Sequence, residues 1–237
     1  MANKKRFYNY EKDTTEIYVE VKKMEVVTVR NVTDLLVEHR YWKDSNGELW
    51  GDFDNPMENV YADFHAYRKK VGYMEPSEIK QLRKKLNLST RSFADKIGIS
   101  YTTLSNIENN HIIQNSYQNV LFSWSLEFYE LMCSLPKSTA NGGNRSIESF
   151  PTIEEYKKYL GYLSSNDIRT IRKKLNLDIR TFSKKLGISP ATLDEIENNH
   201  KVQNKYQEIL FEWANKFYEI YGYLPSKDDT ELKRRYM

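Results

Sequence analysis

With 237 residues, 29% of them charged and 14% aromatic, and a net charge of +3, the chain has the composition of a folded, aromatic-rich protein of two or three small domains rather than one large fold. Its one cysteine, Cys133, excludes an internal disulfide and a multi-cysteine zinc site. The amino-terminal stretch has no apolar h-region and no run approaches about 18 apolar residues, so a soluble, cytoplasmic protein without membrane contact is expected. The charge is unevenly spread. Lys and Arg against Asp and Glu number 9 to 13 over residues 1–66, 9 to 6 over 67–133, and 12 to 8 over 156–219, so an acidic first part precedes two basic ones.

Residues 1–66 read as a small β-rich amino-terminal domain ending in a helix. TEIYVEVKKMEVVTVRNV, from Thr15, is rich in β-branched residues with partial alternation. In YWKDSNGELWGDF, Asn46-Gly47 between aromatic flanks is the strongest hairpin signal of the chain, and strands are expected over about residues 7–54. Asn55-Pro56 then opens a helix that runs to Gly72. The acidic residues 44–63 disfavour DNA contact. They leave this domain either to hold a protein partner, a toxin or another, or an inducer, or simply to support folding or dimerisation. Asp44, Glu48, Asp52, Asp54 and Glu58 could suggest paired catalytic carboxylates, but no Gly-rich phosphate loop, ligand cluster or nucleophile motif completes a site, so neither enzyme activity nor a metal or other cofactor is expected.

Residues 67–133 have helical periodicity. SEIKQLRKKLNL carries Ile79, Leu82 and Leu86 behind a Pro-Ser start, with Asn87 as its stop. TRSFADKIG turns Phe93, Ala94 and Ile97 inward and ends at Gly98. Ser100 then N-caps YTTLSNIEN, with Leu104 and Ile107 inward. Two short helices around a Gly-containing turn form a helix-turn-helix. A long amphipathic helix follows, with Leu121, Phe122, Trp124 and Phe128, and Cys133 in its apolar run is expected in the core. Residues 134–152, rich in Ser, Gly, Asn and Pro, read as a linker that is flexible near Asn141 to Asn144.

The chain then repeats itself. Residues 67–130 and 156–219 align without a gap and agree at 34 of 64 positions by direct count, which identifies a duplication. The second copy, over residues 153–224 before a tail at 225–237, has its turn at Gly187, its cap at Ser189, its inward residues at Leu193 and Ile196, and its amphipathic helix at Leu210, Phe211, Trp213 and Phe217. Those amphipathic helices carry more apolar surface than a four-helix core needs, and the surplus is expected to pair the copies or to form a homodimer seam. His111 and His200 occupy matching loop positions and, lacking clustered ligands, read as turn residues.

LRKKLNLSTRSFADKIGISYTTLSNIENN resembles the Xre/Cro-type helix-turn-helix domain of phage repressors and many antitoxins, through Arg83, Leu88, Ser89, Phe93, Ala94, Gly98, Ile99, Ser100, Leu104, Glu108 and Asn109. Asn110 stands where that family usually has Gly. The lead-in GYMEPSEIKQLRKKL and follow-on IIQNSYQNVLF are similar to antitoxins of the MqsA (YgiT-type) group. The zinc-binding cysteines common in that group's amino-terminal half have no counterpart here before Cys133. The fold expected is mainly α: two tandem Xre/Cro-type helix-turn-helix bundles behind a small β-rich, α+β amino-terminal domain.

The resemblance implies double-stranded DNA as partner. Its third helix would read bases with Tyr101, Thr102, Ser105 and Asn106, while Ser89, Thr90, Ser100 and Asn109 touch phosphate. In the second copy the equivalents are Ser189, Pro190, Ala191, Asp194 and Glu195, and Ile179 replaces Thr90. Two carboxylates facing an anionic groove repel phosphate, so the first copy is expected to carry most of the recognition and the second to bind DNA weakly or pack on protein. The alternative is that both copies read unlike half-sites. The resemblance also pairs Arg83 with Glu108, and Arg172 with Glu197, as structural ion pairs. The function implied is a sequence-specific regulator, a repressor of a phage, mobile-element or toxin-antitoxin operon. The alternative is an antitoxin-like inhibitor that neutralises a protein through its amino-terminal domain.

Overall fold

The structure is a computed structural model that describes residues 3–140 and 144–225. It divides into two compact units, Met1–Glu75 and Pro76–Met237.

The first unit is an antiparallel sheet in the order β1 (Lys4–Asn9), β2 (Thr14–Val29), β3 (Val32–Lys43) and β4 (Leu49–Trp50), followed by α1 (Glu58–Val71), which ends at Gly72 in the left-handed region. The longest pairing is the β2–β3 hairpin, which turns at Arg30 with φ of 54°. The Asn46-Gly47 turn joins β3 only to the two-residue β4, so the strongest hairpin signal serves the smallest ladder. Its order comes from Asp44. One carboxylate oxygen accepts from the Asn46 and Glu48 amides, both at 2.9 Å, and the other from Trp50 Nε1 at 3.1 Å and Lys12 Nζ at 2.7 Å. Asp52 does the same for the next turn, accepting from the Asp54 and Asn55 amides and from Trp42 Nε1. Both are buried turn-formers.

The sheet uses both faces. Phe7, Tyr18 and Trp42 form a cluster on one, with Trp50 and Phe53 packed against it. Leu35, Val37 and His39 lie on the other face, where α1 packs on β3. There His39 holds Glu25 through Nδ1 and Asp63 of α1 through Nε2, each at 2.7 Å, and Tyr41 donates to the same Glu25 at 2.7 Å. Burial pulls the His39 pKa down, but the hydrogen bonds to Asp63 and Glu25 outweigh it and leave it raised.

The second unit holds the first copy from Pro76 onward and the whole of the second; the first copy's residues 67–75, with the end of α1, belong to the first unit. The first copy then runs α2 (Pro76–Lys85), α3 (Thr90–Lys96), α4 (Tyr101–Glu108) and α5 (Ser116–Met132). The second runs α6 (Ile153–Leu160), α7 (Ser165–Lys174), α8 (Ile179–Leu186), α9 (Pro190–Glu197) and α10 (Lys205–Tyr221). Each copy buries the same positions: Ile79, Leu82, Phe93, Ile97, Leu104, Ile107, Leu121 and Phe122, with Ile168, Ile171, Phe182, Leu186, Leu193, Ile196, Leu210 and Phe211. At about 1.5–3 kcal/mol for each fully buried large apolar side chain, these two sets contribute strongly to folding of the unit.

The repeated text after each Glu-Asn-Asn has a backbone explanation. Asn110 and Asn199 take φ of 61° and 62°, which turn the chain out of α4 and α9. Asn115 and Asn204 then cap α5 and α10, each in a capping box with Gln118 or Gln207.

Two readings of the sequence need correction or qualification. Cys133 is not a core residue. It is the C-cap of α5 with φ of 54°, its amide donates to Tyr129 O, and its side chain is exposed, because the chain leaves the helix there and with it the core-facing stripe. The segment between the copies is also tied down. Thr139 donates from its amide and hydroxyl to Glu212 Oε1 at 2.8 and 2.5 Å, and the Asn144 amide donates to the Tyr159 hydroxyl at 3.2 Å. Of the flexible stretch expected at Asn141 to Asn144, residues 141–143 lie outside the described residues, as does the tail beyond 225.

The surplus apolar surface of α5 and α10 joins the two copies. Tyr117 stacks on Tyr206 with ring centroids 3.8 Å apart, and Phe128 on Phe217 at 4.2 Å. Trp124 meets Phe217 edge-on, and Trp213 meets Phe128, each at 5.2 Å. Such pairs add about 0.5–1.5 kcal/mol each beyond area burial. Among the described residues no helix is long and apolar enough to cross a membrane.

Candidate nucleic-acid interface

The site is built outward from the α3–α4 pair. Ser89 caps α3 by accepting from the Ser92 amide at 3.0 Å, and Ser100 caps α4 by accepting from the Thr103 amide at 3.0 Å. Between them Gly98 takes φ of 71°, a conformation that L side chains resist, and so closes the turn. Leu104, Ile107 and Glu108 bury the inner face of α4. Helical periodicity then leaves Tyr101, Thr102, Ser105, Asn106 and Asn109 on the opposite ridge, where Tyr101, Thr102 and Asn109 are exposed and Ser105 and Asn106 half-buried. Thr90 is half-buried at the start of α3, beside the exposed Ser89.

Sequence reasoning missed one member of this surface. The Arg91 guanidinium, from α3, lies 5.7 Å from the centroid of the Tyr101 ring, which puts a cation beside the first residue of α4. The available signal was an Arg on the polar side of a helix whose apolar side was already assigned.

The framework is clamped from behind. Arg83 of α2 grips Glu108 at the end of α4 with Nε to Oε1 at 2.7 Å and Nη2 to Oε2 at 2.8 Å, and Nη1 donates to Leu88 O at 3.1 Å. Arg172 repeats this on Glu197 at 2.7 Å twice and on Leu177 O at 3.0 Å. Each guanidinium thereby fixes α2 or α7, the entry to the second helix, and the end of the third with one planar group. The hydrogen bond to Glu108 raises the Arg83 pKa despite burial, and Glu197 does so for Arg172.

The second copy keeps this framework and changes the surface. Asp178, in place of Ser89, caps α8 through the Thr181 amide at 2.6 Å, and that bond holds its carboxyl below the ordinary range. Pro190 opens α9 behind the Ser189 cap. Ala191, Asp194 and Glu195 are exposed. Asp194 accepts from Asn198 Nδ2 at 2.9 Å and Glu195 faces Lys201 at 3.4 Å, so both carboxylates have local partners. His111 and His200 sit in the loops after α4 and α9, where their amides donate to Asn106 O and Glu195 O. Among the described residues no group of three or more His, Cys, Asp or Glu could hold a metal ion.

Residues 79–115 and 168–216 match the helix-turn-helix family model, one match in each copy. That likeness to Xre-type helix-turn-helix proteins supports a DNA-binding transcriptional regulator. No curated protein and no solved structure matches the chain.

Proposed function

We propose that the protein is a sequence-specific repressor that reads an operator mainly with α4 and acts by occluding it. The observation that carries this reading is the polar ridge Tyr101, Thr102, Ser105 and Asn106, presented by a helix whose other face is fully packed and clamped through Glu108. Asn106 supplies the paired donor and acceptor that suit adenine, and the Thr102 methyl suits thymine. Ser89, Thr90, Ser100 and Asn109 would position the backbone, with Arg91 adding charge. The second copy contributes less, because α9 offers Ala191, Asp194 and Glu195 to an anionic groove. An operon of a phage, mobile element or toxin-antitoxin pair, and a kinship to MqsA-type antitoxins, rest on the resemblance of GYMEPSEIKQLRKKL and IIQNSYQNVLF. Selection from a randomised duplex library tests the proposal. Wild type should enrich a motif that Tyr101→Ala/Asn106→Ala abolishes and Asp194→Ala/Glu195→Ala retains; no enrichment by wild type would sink it.

A second reading has one observation behind it. Among the described residues β1 pairs with β2 over Thr14–Val19 and Asn3 O accepts from the Glu20 amide, which leaves residues 21–29 of β2 paired with β3 alone; Met24 and Val26 on β2, and Leu36 opposite Val26 on β3, are exposed. An open strand edge with an apolar row suits a protein that adds a strand. An antitoxin-like protein would use it to neutralise a partner, with DNA binding for autoregulation. A stoichiometric complex that survives nuclease treatment and is lost in Met24→Lys/Val26→Lys would support this reading.

A further inference from the structure

Every aromatic contact between the two copies joins a residue to its own equivalent 89 positions on or has a mirror-image counterpart. Tyr117 lies on Tyr206 with 7° between the rings, and Phe128 on Phe217 with 19°. The edge-on pairs Trp124–Phe217 and Phe128–Trp213 exchange with one another, at 69° and 71°. The two turn glycines do the same. A Cβ on Gly98 would stand 2.9 Å from the Tyr206 amide nitrogen, and a Cβ on Gly187 would stand 2.6 Å from that of Tyr117. Each turn therefore rests on the start of the other copy's long helix, at an approach only glycine allows. Ser116 Oγ donates to Gly187 O at 2.8 Å on one side, and Lys205 reaches Asp95 at 2.5 Å on the other.

A contact set that maps onto itself when the partners are exchanged belongs to an isologous, two-fold interface. Copies stacked by translation would instead put one patch of the first against a different patch of the second. The symmetry operator decides how the reading helices run. With that dyad set across a duplex, α4 and α9 would run in opposite senses along it, as in a symmetric helix-turn-helix dimer on a palindrome.

From this geometry we propose that one chain binds one inverted repeat of unlike halves, with α4 on a half that presents A·T pairs and α9 on a half of lower information content. The inference rests on the DNA-binding reading above and adds the orientation and number of its half-sites. The unlike halves follow from the side chains. The first ridge carries Asn106 and Thr102. The second presents Ala191 with two carboxylates, which can accept from a base amino group, cytosine N4 above all, but offer no donor. The half-site centres are expected about one helical turn, ~10 bp, apart. A homodimer is not required for a two-part site, because both halves of the dyad are in the same chain.

The test grafts the first ridge onto the second copy of the full-length chain as Pro190→Tyr/Ala191→Thr/Asp194→Ser/Glu195→Asn, all at exposed positions. Wild type and graft are each selected on a randomised duplex library, with circular dichroism melts to show that the graft folds. The expected result is an asymmetric motif for wild type and, for the graft, two copies of its first half in inverted orientation. The graft should bind that inverted repeat at least about tenfold tighter than the same halves as a direct repeat. If the graft prefers the direct repeat, or a single half with no second, the dyad assignment is overturned while DNA binding stands. If wild type and graft both enrich nothing, the DNA-binding reading fails and this inference with it. Asp194→Ser/Glu195→Asn alone carries the same expectation if Pro190 proves necessary for α9.

Discussion

Glu208 sits fully buried in the first turn of α10, where its copy-one equivalent is the neutral Asn119. Its carboxylate accepts from the Leu163 amide and from Gln203 Nε2, each at 2.8 Å. Desolvation outweighs these bonds and pushes its pKa up from 4.5 to about 7, with Glu212 adding to the rise and Lys157 opposing it. Between those two values the native state binds more protons than the unfolded one, so stability falls as the pH rises through the window. At 1.36 kcal/mol per unit the full effect is about 3 kcal/mol. Glu208→Gln removes the charge and keeps the shape of the side chain. Urea melts of wild type and variant from pH 4.5 to 8 should show similar stability at the acid end and a variant more stable by about 3 kcal/mol at the basic end. A difference that stays flat across that range would refute the desolvation argument.

Arg83→Met should destabilise the second unit by about 3–5 kcal/mol, since it strands a buried Glu108, and Arg83→Met/Glu108→Leu should recover much of that in a double-mutant cycle read by urea melts. Gly187→Ala should cost about 1–2 kcal/mol for its φ of 71° and about 1–3 kcal/mol more for overpacking against Tyr117, whereas Gly222→Ala, with φ of 76° and no atom of the described residues within 4 Å of the added Cβ, should cost only the first part; thermal melts compare the two. His39 has a raised pKa, so its contribution is fully present below pH 6.5 and is lost as the pH climbs through the folded value. The stability advantage of wild type over His39→Gln should therefore shrink between pH 6 and 9, and an advantage that grows with pH would contradict the assignment.

Much of the helical architecture was legible because its determinants are local. Gly98, Ser100, Asn87 and Asn110 each act on the backbone within a few residues of themselves, and their positions in the sequence mark the turns and caps found. Cys133 was misread because periodicity does not show where a helix releases its last side chain. The β2–β3 hairpin was harder still. Its turn is Arg30-Asn31, with none of the glycine chemistry that advertises Asn46-Gly47, and its register is set by pairing across the sheet. Arg91 could be placed on the polar side of α3, but its approach to Tyr101 and the stacking of Tyr117 on Tyr206 depend on which surfaces meet, and Tyr117 gives no sign in the sequence that Tyr206 will lie on it.

Sequence reading by α4 carries the proposed function. Fluorescence anisotropy titrations of the library-selected duplex and a scrambled one, with wild type, Asn106→Ala and Asp194→Ala/Glu195→Ala, test it most directly. Asn106→Ala should lose about 1–3 kcal/mol on the selected duplex and almost nothing on the scrambled one, while the second-copy variant stays near wild type. Equal losses by Asn106→Ala on both duplexes, or discrimination that depends on Asp194 and Glu195 instead, would contradict it.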